Sequence, residues 1–143
     1  MISIEAELLL ACVMGCYSWL MDFHAHIYFD SSTRETAKRI RDRFAHSGLP
    51  GLATLPLPAP DDPLRGPHPS PMFELGFGRE AFSEVVGWLL LHRGAHPVLV
   101  HAVTGNDLVD HDRHALWLGE PQRLDLSRLD PPIQGWHPVS PEI

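Results

Sequence analysis

Residues 22–30 read DFHAHIYFD, and their alternation decides the architecture. In an extended strand successive side chains point to opposite faces. His24, His26 and Tyr28 therefore share one face, while Ala25, Ile27 and Phe29 share the other. The apolar set is what a buried sheet face needs. The polar set is not, because two imidazoles and a phenol bring hydrogen-bonding atoms that packing alone does not call for. The stretch predicts a strand with one face on a core and one face reserved for chemistry.

The segments that follow supply its neighbours. SSTRETAKRIRDRFAHSG (31–48) reads as a helix, with Ser32 and Glu35 spaced as a capping box, Ala37, Ile40 and Phe44 on one face, and Gly48 at its end. GLATLPL (51–57) alternates, but Pro56 within it and Pro50 and Pro58 beside it confine it to a sheet edge at best. Eight of the fourteen prolines fall between 50 and 71, which makes 58–71 a stiff irregular loop. MFELGFG (72–78) is a strand with Phe73, Leu75 and Phe77 on one face and Glu74 on the other. REAFSEVVGWLLLHRG (79–94) carries Phe82, Val85, Val86, Leu89 and Leu90 at helical spacing. PVLVHAV (97–103) is a buried strand, TGND turns the chain, and HALWLGE (114–120) adds a short strand.

This order is βαββαβ, an α+β ferredoxin-like sandwich with both helices on one face of an antiparallel sheet. The first strand is then central, between the third and fourth. Residues 1–21 form an N-terminal extension, 22–120 the domain, and 121–143 a Pro-rich tail.

Strand parity brings side chains from three strands together. With the apolar sets turned to the helices, His24, His26 and Tyr28 meet Glu74 from one neighbour and His101 from the other. Two histidines and a carboxylate are the donor composition that suits non-haem Fe(II) with open coordination positions. Each alone has a plainer reading, Glu74 as a solvated sheet residue and His101 as a hydrogen-bonded core histidine. DHDRH (110–114) also holds ligand-type residues, on what reads as an exposed polar turn.

Composition narrows the classes. A net charge of −7, with one lysine and scattered arginines, excludes the basic face that nucleic acid requires. Apolar content of 44% and charged content of 20% are ordinary for a globular domain, whereas ten histidines are many. Cys12 and Cys16 make neither a disulfide framework nor a complete zinc site, and they fit a reducing, cytoplasmic setting. The apolar leader has glutamates where a signal peptide carries positive charge, and it is too short and interrupted to span a membrane. It reads as a helix packed on the domain, or as an extension upstream of a start at Met21. No phosphate-binding glycine loop, dinucleotide fingerprint or nucleophile elbow is present.

FHAHIYFD (23–30), GPHPSPMFELGF (66–77) and WLLLHRGAHPVLVHAVTGNDLVDHDRHALWLGE (88–120) together resemble the DOPA 4,5-dioxygenase family of small extradiol dioxygenases. The resemblance runs from about Asp22 to Glu120. Ala102 stands where the family has proline, His92 where it has asparagine, and PAPDDPLRGPHP replaces its His-Glu-Lys-Pro stretch. The resemblance implies ring opening of a catechol by dioxygen at Fe(II). It assigns His26, Glu74 and His101 as metal ligands, His24 and His68 as acid–base groups, and Tyr28 as a donor to bound oxygen. The roles of His24 and His26 are interchangeable at this level. Small-molecule catechol and dioxygen are the implied partners, with no nucleic acid and no membrane. A homodimer is compatible with catalysis. The competing reading is a non-catalytic ferredoxin-like module that binds a small molecule on the same face.

Overall fold

The computed structural model describes residues 21–53 and 56–129. Its elements run β1 (Phe23–Tyr28), α1 (Arg34–Ala45), β2 (Leu52–Ala53), β3 (Met72–Phe77), α2 (Phe82–His92), β4 (Val98–Ala102), α3 (Asp107–Asp112) and β5 (Ala115–Leu118). All strand pairs are antiparallel, in the order β2-β3-β1-β4-β5. The first four reproduce the ferredoxin-like arrangement, and β5 widens it by one strand. The expected edge strand at 51–57 is formed at Leu52–Ala53, while residues 54–55, the N-terminal extension through residue 20 and the tail beyond 129 lie outside the described residues.

The helix-facing side is the core. Ala25, Ile27 and Phe29 pack with Phe73, Leu75, Phe77, Val98 and Val100 from the sheet. Ala37, Ile40 and Phe44 of α1 and Val85 and Leu89 of α2 close over them. At about 25 cal/mol per Å² of buried apolar surface, this side supplies most of the hydrophobic drive to fold.

Two local expectations are corrected. The Ser32–Glu35 capping box does not form: Thr33 occupies the helix N-cap without a side-chain bond. Asp30 organises the turn instead, its carboxylate accepting from Ser32 N–H, Ser32 O–H and Thr33 N–H at 2.6–3.0 Å. An aspartate that satisfies two backbone donors of the turn leaves Ser32 nothing to cap. On α2, Leu90 is 56% exposed rather than buried. Among the described residues no helix is long and apolar enough to cross a membrane.

Candidate metal and acid–base site

The opposite face of the sheet carries the polar residues that parity assigned to it. The β1–β3 register sets His26 across from Glu74, and the β1–β4 register sets His24 across from His101. Directly paired residues stand about 4.5–5.5 Å apart at Cβ, so imidazoles on neighbouring strands meet without any distortion of the sheet. His26 is 2% exposed and His101 3% exposed. Their Nε2 atoms lie 2.9 Å apart.

What holds these rings decides what that short distance means. The Nδ1–H of His101 donates to the Ala102 carbonyl at 2.6 Å. Nδ1 of His26 faces Glu74 Oε2 and Met72 Sδ, both at 3.4 Å. The carbonyl partner makes His101 Nε2 an acceptor, and in the His26 tautomer that turns Nδ1–H toward Glu74 two Nε2 lone pairs converge on one point. They repel unless a cation lies between them. Two imidazoles bound about 2.1 Å from one first-row metal ion, at right angles, have nitrogens about 3 Å apart. The donor set therefore fits a metal ion.

Glu74 lies on the other side of the His26 ring, 3.4 Å from its Nδ1 and 3.6 Å from Nδ1 of His24. A carboxylate behind a histidine fixes the ring's tautomer and direction. Ligand-capable atoms lie within 4.8 Å of one another in two groups, His24–His26–His101 and His26–His68–His111, and neither includes Glu74.

His68 comes from the proline loop, where its backbone N–H closes a turn on Arg65. Its ring sits 4.2 Å from that of His26, and its Nδ1 shares a 2.8 Å hydrogen bond with the Tyr28 hydroxyl. Burial, then the neighbouring imidazoles, pushes His68 down to about 3 and His101 down to about 4. The same causes hold His26 well below the usual histidine range. These rings are neutral at pH 7, the state in which a histidine binds a metal or accepts a proton. Burial raises Tyr28, which keeps its proton.

His111 is the site residue that the sequence reading missed. It belongs to α3, whose Asn106 cap accepts from Val109 N–H at 3.1 Å. Asp110, 1% exposed, clamps α3 to the end of β4 by accepting from Thr104 N–H and Thr104 O–H, each at 2.8 Å. The Nδ1–H of His111 donates to the Asp107 carbonyl at 2.7 Å, and the ring lies 4.1 Å from that of His101. The signal was the aspartate–histidine pair in the resemblance itself, which a short polar segment disguised.

Beside the histidines the same face turns apolar. Tyr28, Met72 and Leu99 pack with Ala115, Trp117 and Leu124, and Trp117 stacks on Tyr28 with centroids 5.9 Å apart. Asp125 N–H donates to the Pro67 carbonyl at 2.9 Å, which pins the segment after β5 to the loop that carries His68. His92 and His96 are held elsewhere, by the Trp88 and Tyr28 carbonyls.

A ferredoxin-like sheet with five histidines converging on its open face, backed by one carboxylate and flanked by aromatic rings, has the make-up of a small single-domain metal site. Residues 23–128 match the family model described as the Dopa 4,5-dioxygenase family, and the chain belongs to that family. It is 30% identical over 116 residues to a DOPA 4,5-dioxygenase of Amanita muscaria, covering 78% of this chain and 51% of that protein. It is 33% identical over 120 residues to an uncharacterised protein of Botryotinia fuckeliana, covering 73% of this chain and 61% of that one. The chain thus spans about half to three-fifths of the length of these curated relatives. A crystal structure from Nostoc punctiforme, described as that of a candidate dioxygenase, matches with a TM-score of 0.67 and 35% identity, over 76% of this chain and 90% of its own.

Proposed function

We propose that this protein is an extradiol dioxygenase that inserts dioxygen into DOPA or a related catechol at a non-haem Fe(II) site. The observation that carries this reading is the pair of neutral imidazoles, His26 and His101, whose Nε2 atoms face each other at 2.9 Å. His24 completes a three-histidine set with them, and Glu74 orients His26 and His24 from behind. Three protein ligands leave positions free for substrate and dioxygen. Fe(II), when bound, supplies the one site at which a catecholate and dioxygen meet.

The chain's own residues handle the protons. His68 donates its Nδ1–H to the Tyr28 oxygen, which leaves its neutral Nε2 to accept a hydrogen bond from a catechol hydroxyl. The Tyr28 O–H, kept protonated by burial, donates to a substrate oxygen. Trp117, Leu99 and Met72 form an apolar wall beside the aromatic ring and keep water from the reacting atoms.

Metal analysis of protein prepared without oxygen, followed by oxygen uptake with L-DOPA and simple catechols, tests the proposal. The expected result is about one iron per chain and oxygen consumption with a visible ring-opened product. Iron-loaded protein that turns over no catechol, or catechol binding that persists unchanged in chelator, overturns it. His26→Ala removes both iron and activity. Comparing iron content in His24→Ala and His111→Ala separates the two possible ligand groups.

A further inference from the structure

A helix is about 10 Å across and strands lie about 4.8 Å apart, so two helices screen about four strands. This sheet has five, and the helix side of β5 is covered only in part, with Leu118 in the core at 8% exposure. Leu116 points to that side, across from Val100 in the register, and is 44% exposed. A groove of about 410 Å³ lies here, its apolar wall made by Phe23, Phe82, Val100, Ala102 and Leu116, with Thr104, His101 and His114 at its edge. Phe82, Val86 and Leu90 follow one another at four-residue spacing along α2, with Leu90 exposed at the far end of that stripe. The apolar wall lies on the helix side of the sheet, and His101, between Val100 and Ala102 on β4, is shared between the groove and the candidate site.

We infer that residues 1–20 of the same chain occupy this groove. The chain enters the described domain at its mouth. The Asp22 carbonyl accepts from Val103 N–H at 2.8 Å, the Asp22 carboxylate accepts from Arg79 N–H at 2.9 Å, and the Phe23 ring packs on Phe82 with centroids 4.8 Å apart. Asp22 and Phe23, at the start of the described chain, therefore lie beside Val103 and Ala102. Fifteen of the twenty residues that precede Met21 are apolar, and their only charged side chains are Glu5 and Glu7. Twenty residues reach about 30 Å even as a helix, against about 14 Å for the four residues of β5, so the segment is long enough to cover the strand. A tethered segment competes at millimolar effective concentration, which favours it over a second copy of the chain.

The two native cysteines make the test direct. A nitroxide on Cys12, in full-length protein carrying Cys16→Ser, should cut the amide NMR intensities of Val103, Thr104 and Leu116 by at least half. Lys38 and Ala53, on the far side of the domain, should keep theirs. Leu116→Asp, an exposed position, should restore the intensities while leaving the rest of the spectrum in place. In a mixture of spin-labelled, isotope-unlabelled protein with isotope-labelled protein that has no nitroxide, the loss should disappear. Loss that persists in the mixture makes a second copy the occupant and overturns the inference. Unchanged intensities at the groove, or loss that survives Leu116→Asp, overturn it as well.

Discussion

At the scale of single residues, the site is a group of histidines forced to stay neutral. His68 at about 3 and His101 at about 4 lie below the ordinary value of 6.5, and His26 is lowered too. The unfolded chain thus binds protons below pH 6.5 that the folded chain refuses. Stability of the metal-free protein should be level above about pH 7 and fall as pH drops from 6.5 toward 4, by an amount on the order of a few kcal/mol. Thermal unfolding in chelator across that range reads it, and a flat profile would show that the cluster is not buried as described. Tyr28→Phe keeps the ring and removes the hydroxyl bonded to His68. It should cost about 1–3 kcal/mol by leaving a buried ring nitrogen unpaired. Under the proposed mechanism kcat falls more than KM changes, whereas an altered KM alone would make Tyr28 a binding group.

At the scale of elements, a two-residue period was enough to sort the three strands that carry the site. Parity in β1, β3 and β4 put His24, His26, Tyr28, Glu74 and His101 on one face, because a strand offers only two faces and the apolar residues claim one. α3 escaped the same reasoning. Six residues are under two turns, too few for a periodic face to show, and the direction of His111 depends on the buried Asp110 and the Asn106 cap. The Asp30 turn was likewise hidden, since an aspartate two or three residues upstream competes for the donors that Ser32 was expected to satisfy. Asn106→Ala should lower stability by about 1 kcal/mol through loss of the cap. If His111 belongs to the working site, metal affinity or turnover falls with it; wild-type values for both would limit α3 to a structural role. Gly119→Ala should be worse tolerated than an ordinary surface change. At φ +80° an alanine is strained, and its Cβ would sit 2.6 Å from Arg93 Nη1.

At the scale of the whole molecule, the fold divides labour between two faces: one side of the sheet drives folding and the other carries the donors. Metal binding to the native state should then add to stability by mass action. At a free Fe(II) concentration 100 times the dissociation constant the gain is about 2.7 kcal/mol. For a domain this size that raises the anaerobic Tm by several degrees, and excess chelator reverses it. No shift with iron would mean that the histidines are structural.

The facing pair His26 and His101 also sets a clock. Seventy-five residues separate them along the chain, and a ribosome adds about 5–20 residues per second, so the first histidines wait roughly 4–15 s for their partner to be made. During that interval His24, His26 and His68 are present but His101 and His111 are not, so neither group of three histidines is complete. With His24, His26 and His101 as the ligands, loading must therefore wait for β4, and nascent chains that stop short of it should hold no iron.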